Sequence, residues 1–277
     1  MVVVFGALSA VGEAAVWALG RAGVPARSLV SRGDPYHLLE GSGCGFRFLE
    51  RGEGWERGLR GAAWLLVDGG AGEALPGGPR RLGPVLHPLL RAAEAEGLRG
   101  VVLVAPLGAR GRWGAAWASL VDRAGASPLP LTVLRIGPLG RVWLDPGAAL
   151  PERLAPLCAD DAAAVALSCL DTPALRGGRW ALCGRERITG GQARALIDAL
   201  PAGPVTSRVG AWLAVDRWME PSWIEGAVGW SLRDAASALA LESRRPASGP
   251  PRRLSPGRYE AGTTPVAALP TGPLRYR

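Results

Sequence analysis

Gly6, Ser9 and Gly12 stand three residues apart just beyond an apolar run, Val2-Val3-Val4-Phe5. Small residues at this spacing let a chain turn sharply and bring backbone N–H groups close to a phosphate. Beyond the turn, Val11, Ala14, Ala15, Ala18 and Leu19 recur at helical spacing. A strand, a tight turn and a helix N-terminus in this order suit a dinucleotide diphosphate, because the amides and the helix dipole favour negative charge. The pattern is the longer Gly-x-x-Gly-x-x-Gly form with Ser9 in place of the middle glycine. A Cβ there takes up part of the phosphate space, so weakened binding is expected. The Ser9 hydroxyl has two uses open to it, donating to a phosphate oxygen or capping the helix. A tight strand-to-helix turn that binds nothing would also carry these residues.

Other chemistries are excluded by residue type. All 32 basic side chains of the 277-residue chain are arginine; lysine and asparagine are absent. Arginine stays protonated, so Schiff-base catalysis and a tunable ammonium acid are ruled out. Cys44, Cys158, Cys169 and Cys183 show no metal-ligand spacing, and His37 and His87 are the only histidines. No metal site is expected. The cysteines read as reduced, mostly buried thiols of a cytoplasmic protein. His87 reads as a partly exposed helix residue with no catalytic part.

The formal charge of +8 is concentrated at one end. From Ser243 onward, Arg244, Arg245, Arg252, Arg253, Arg258, Arg275 and Arg277 oppose only Glu260, which leaves the body at +2. This Pro/Gly-rich segment reads as an irregular tail, with weak contact to anionic partners as the sharper alternative. No nucleic-acid motif accompanies it. No apolar run approaches the ~20 residues of a membrane span, and the start lacks the basic region of a secretion signal.

The elements that must position the turn follow in regular alternation. Strands are expected at 26–31, 45–49, 63–67, 100–104 and 131–135, with helices ending near Ala22, over 55–60, 85–96 and 113–123. A Pro/Gly loop is expected to precede the helix at Val85. This alternation predicts an α/β fold with a doubly wound parallel sheet. Ligands of such sheets lie at the carboxyl ends of strands, which singles out Ser31 and Arg32 after the second strand and Asp68-Gly69 after the fourth. A basic residue at the first place suits a 2′-phosphate, so Arg32 leans the cofactor toward NADP over NAD, with Asp34 two positions on. Asp160 and Asp161 begin a helix that runs through Cys169, where helix capping explains both carboxylates. Arg179 to Cys183 reads as a seventh strand returning to the sheet, followed by Thr189 and a helix over 192–200. Residues 1–140 are expected to form the nucleotide-binding domain, 141–242 a small C-terminal lobe and 243–277 the tail.

Several stretches taken together resemble the NmrA-like atypical short-chain dehydrogenase/reductases: Val4-Phe5-Gly6-Ala7-Leu8-Ser9-Ala10-Val11-Gly12, then Arg27-Ser28-Leu29-Val30-Ser31-Arg32. The runs from Ala92 to Val102, from Leu131 to Pro138 and from Cys158 to Ala166 are similar to that family too. The likeness covers about residues 2 to 200, specific as an ordered set and loose at any one position. It implies a Rossmann sheet that binds NAD(P)(H), with the small lobe over the nicotinamide end. On this basis Gly6, Leu8, Ser9, Ala10, Val11 and Gly12 match the diphosphate turn. Ser31 and Arg32 match the adenosine end. Val67, Asp68 and Gly69 match the backbone stretch that passes the cofactor.

The chain departs from the family's carbonyl chemistry. Short-chain reductases of that kind use a serine after the fifth strand and a Tyr-x-x-x-Lys pair on the next helix, which deliver a proton and hold the ribose. Here the strand ends Val104-Ala105-Pro106, and the matching helix positions are Trp113 and Trp117. An indole does neither task. No catalytic residue is assigned. Three readings follow: an NAD(P)(H)-binding regulatory module, an NADPH-dependent reductase of a quinone or conjugated acceptor, and a pseudoenzyme with an empty cleft. Trp212, Trp218, Trp223 and Trp230 either line a pocket for a flat, quinone-like ligand or pack the lobe and its unknown protein partner.

Overall fold

The computed structural model describes residues 1–31, 35–49, 54–70, 78–108, 111–144, 150–200, Ile224, Ala227 and 231–244. Its centre is a seven-stranded sheet in which every neighbouring pair is parallel. The strands are β1 (Val2–Phe5), β2 (Ala26–Ser31), β3 (Gly45–Leu49), β4 (Trp64–Asp68), β5 (Gly100–Pro106), β6 (Leu131–Ile136) and, after a short β7 (Arg153–Leu154), β8 (Arg179–Leu182). They lie in the order β3-β2-β1-β4-β5-β6-β8. The chain therefore winds outward in opposite directions from β1 and β4, and the switch point lies between them. This is the doubly wound Rossmann arrangement.

The central strands are apolar because both their faces are covered. Val3, Val4, Leu65, Leu66, Val67 and Leu103 are fully buried. On one face α1 (Ala10–Arg21) packs against α5 (Ala159–Asp171) through small residues such as Ala14, Ala15, Ala162 and Ala163. On the other, α3 (Gly78–Ala95) and α4 (Gly111–Ala124) pack together, with the short α2 (Trp55–Leu59) beside α3.

Two expectations need correction. The fourth strand is one residue later than the apolar run suggests, which places Asp68 inside it. The Pro/Gly loop before Val85 does not extend that far: α3 starts at Gly78 and contains Pro84 and Pro88. Each proline removes one N–H and disfavours a helix locally. Burial of Leu82, Leu86, Leu89, Leu90 and Ala93 along one stripe outweighs that cost.

The C-terminal part builds a second small core from Val142, Trp143, Leu154 and Ala193. There β7 pairs antiparallel with β9 (Ile188–Thr189), and α6 (Gly190–Asp198) begins with a capping box between Thr189 and Gln192. The last described helix, α7 (Ala235–Arg244), packs on the 140–143 turn and on α6. The four tryptophans from Trp212 to Trp230, Arg32, Asp34 and the tail beyond residue 244 lie outside the described residues. Among the described residues, no helix is long and apolar enough to cross a membrane.

Candidate functional site

At the switch point β1 opens into the glycine turn. Gly6 has φ +83°, a conformation that suits glycine, and its carbonyl accepts from the Ser9 amide at 2.9 Å. Ser9 is the N-cap of α1, its hydroxyl oxygen accepting from Gly12 N–H at 3.3 Å. The capping use of Ser9 anticipated from its type is thus realised. Helix geometry leaves the first amides of α1 without intrahelical acceptors, and the turn before them continues β1, which lies beside β4 in the register Phe5 to Val67. Ala10, Val11 and Gly12 are buried, and Leu8 is half-buried.

The structure brings the turn and the Val67-Asp68-Gly69 stretch into direct contact. A Cβ on Gly6 would lie 1.8 Å from the backbone oxygen of Asp68, and one on Gly12 would lie 2.1 Å from the oxygen of Gly6. The Asp68 side chain is 2% exposed. Its Oδ1 accepts from Gly70 N–H at 3.0 Å, and its Oδ2 is hydrogen-bonded to the Ser9 hydroxyl. That hydroxyl also faces the Gly6 carbonyl oxygen at 2.5 Å. The family resemblance implies a part for the Asp68 backbone only. Its carboxylate goes beyond that expectation, and an acid closing an otherwise apolar strand is the signal for it in the sequence. Ser31 closes β2 on the far side of β1.

On α4, Trp113 and Trp117 lie one turn apart, edge to face, with ring centroids 6.1 Å apart. Trp117 is 2% exposed. Its ring carbon Cη2 comes within 2.9 Å of where a Cβ on Gly69 would stand, and Leu82 closes the same place. Its Nε1–H is buried with no hydrogen-bond partner among the described residues. Ala105, at the end of β5, is buried and carries no hydroxyl. Tyr36, the one tyrosine among the described residues, packs on Phe46 and Phe48 of the edge strand β3. No group of three or more potential metal-ligating side chains occurs among the described residues. His87 is exposed on α3.

A second polar cluster ties the C-terminal part to the sheet. Cys158 is the N-cap of α5, its sulfur accepting from Asp161 N–H at 3.5 Å. The buried Glu242 of α7 accepts from Ala159 N–H at 2.7 Å, so part of this helix start is capped from a distant helix. Capping is not the part Asp161 plays, because Cys158 is the N-cap of α5 and the Asp161 carboxylate reaches Arg233 instead. That carboxylate accepts from Arg233 N–H at 2.9 Å and pairs with the Arg233 guanidinium. Burial pushes the Asp161 carboxyl up, against the pull of the Arg233 amide and guanidinium. Burial, then the neighbouring Asp161, pushes the Cys158 thiol up to about 12, and burial does the same to Cys169. All four cysteines are buried, and none of them forms a disulfide.

No family model and no curated protein matches the chain. Solved structures share its fold. A nucleoside-diphosphate-sugar epimerase from Pseudomonas aeruginosa superposes with a TM-score of 0.69 at 17% identity, covering 87% of this chain and 95% of that one. The Citrobacter sp. triphenylmethane reductase, solved with NADP(H), gives 0.64 at 13% identity, covering 87% and 99%. The NADPH-dependent quinone oxidoreductase of Escherichia coli, solved with NADPH, gives 0.57 at 20% identity, covering 71% and 74%. At such identities the likeness is one of fold.

Proposed function

We propose that this chain is an NmrA-like protein that binds an adenine dinucleotide at the β1–α1 turn, NADP(H) in preference to NAD(H), and acts as a binding or regulatory module. The observation that carries the reading is the pairing of two features. A glycine turn is kept at the switch point, and Trp113 and Trp117 occupy the helix positions where a reductase would deliver protons. In this reading Gly6, Leu8, Ser9, Ala10, Val11 and Gly12 face the diphosphate, Ser31 and Arg32 the adenosine ribose, and Val67, Asp68 and Gly69 the middle of the cofactor. A bound nicotinamide would supply hydride chemistry. The protein's own residues supply binding and orientation, with no tyrosine or lysine on α4 to move a proton.

The test is thermal unfolding with NADPH and with NADH, since a ligand that binds the native state raises the midpoint. A rise, larger for NADPH, is expected. No shift with either nucleotide at millimolar concentration would leave a pseudoenzyme whose cleft holds nothing.

A second reading has support in the fold shared with the quinone oxidoreductase. Hydride transfer to a quinone or conjugated acceptor draws its protons from water, so the missing acid/base set does not forbid it. Following NADPH absorbance with a panel of quinones separates the two, because turnover well above background would displace the regulatory reading.

A further inference from the structure

We propose that Asp68 sets the affinity of the β1–α1 turn for diphosphate, its carboxylate acting as a resident anion that a nucleotide must displace. The inference rests on the reading of the turn as a nucleotide site and names the residue that tunes it.

The side chain stands where a phosphate would look for partners. Asp68 closes β4 at the switch point, and its backbone oxygen lies against Gly6, so the residue cannot drift from the turn without separating β1 from β4. Its Oδ2 holds the hydroxyl of Ser9, a side-chain donor within the turn itself. Its Oδ1 is fixed by Gly70 N–H at 3.0 Å. Ser9 in turn caps α1, so the carboxylate is tied to the N-terminal end of that helix, where the dipole stabilises an anion. A diphosphate depends on the same dipole and the same hydroxyl. With the carboxylate in place, the hydroxyl is engaged, and two anions would share one small-residue turn, where like charges repel strongly. Burial at 2% exposure leaves little water to screen that repulsion.

The neutral amide isostere separates charge from shape. Asp68→Asn keeps an oxygen for Gly70 N–H and an atom facing Ser9, and removes the negative charge. NADPH, NADH and inorganic pyrophosphate would be titrated calorimetrically into the full chain, its Asp68→Asn variant and its Asp68→Ser variant. Adenosine serves as a ligand without phosphate. Unfolding midpoints confirm that each protein is folded, and the serine variant serves if the amide fails to fold. The expected result is binding tighter by about tenfold or more for the phosphate-bearing ligands in the variants, with adenosine unchanged. Equal or weaker binding in the variants overturns the proposal; weaker binding would make Asp68 an acceptor for a ligand hydroxyl instead. If none of the phosphate-bearing ligands binds any of the proteins, the nucleotide reading falls and this inference with it. If they bind variant and parent alike, only the role of Asp68 falls.

Discussion

The backbone oxygen of Asp68 lies 1.8 Å from the point where a side chain on Gly6 would begin. The two central strands are thus closed against each other at the mouth of the turn, with no room for a methyl group. Gly6 also holds φ +83°, so Gly6→Ala meets both a clash with backbone and a strained conformation. Its expected cost is at least about 3 kcal/mol, read by urea denaturation. A loss below about 1 kcal/mol would mean that β1 and β4 can part at this end.

Gly12→Ala carries a different signature. Gly12 lies within α1, so its backbone accepts alanine, but the new Cβ would sit 2.1 Å from the Gly6 carbonyl oxygen. The turn must widen, at an expected cost of about 1–3 kcal/mol. NADPH binding, measured by calorimetry, should weaken more than stability does. Unchanged nucleotide affinity would argue that the turn contacts no ligand.

Asp161 and Arg233 differ in burial, at 2% and 43% side-chain exposure. Removing the arginine strands a buried carboxylate, while removing the aspartate frees a guanidinium that reaches water. Arg233→Ala is therefore expected to cost about 2–3 kcal/mol at pH 7. Burial already raises the Asp161 carboxyl, and losing the cation raises it further. The folded state of the variant then takes up a proton more readily than the unfolded chain, so its deficit should shrink as pH falls from neutrality. Denaturation of parent and variant across that range checks the sign. Hydrogen exchange over 231–244 should quicken in the variant.

Trp117 buries its ring together with an N–H that has no partner among the described residues. Trp117→Phe loses some contact area and also removes a donor that costs about 1–3 kcal/mol when left unsatisfied, so the net change should stay within about 1 kcal/mol. Trp117→Ala, which opens a cavity beside Gly69 and Leu82, should cost about 3–5 kcal/mol. Chemical denaturation of both variants decides. A phenylalanine loss close to the alanine loss would require a partner for Nε1.

The thiols of Cys158 and Cys169, pushed up to about 12 from an ordinary 9.0, remain protonated in the folded protein well above neutrality. Alkylation by iodoacetamide at pH 8 should therefore be slow and should track unfolding. Above pH 9 the unfolded chain releases these protons first, so stability should fall from about pH 9 toward 12, by about 1.4 kcal/mol per pH unit for each thiol. A Cys169→Ala variant should flatten that fall.

The residues that pattern locally were readable in one dimension. The apolar run Leu65 to Val67 and the repeats of α1 and α5 announce a parallel sheet with helices on both faces. The Gly6-Ser9-Gly12 spacing announces a tight turn, and the four-residue step from Trp113 to Trp117 puts both indoles on one side of a helix. Each is a matter of period and residue type within a dozen positions. The start of α3 is hidden in the sequence, because burial of a leucine stripe overrides what Pro84 and Pro88 do locally. The Ser9–Asp68 bond spans 59 positions and the Arg233–Asp161 pair 72. In a parallel sheet, strands that touch are separated by whole crossovers, so which carboxylate meets which donor depends on strand order and register. Local pattern dictated the turn, and the fold decided that an acid from the neighbouring strand would stand inside it.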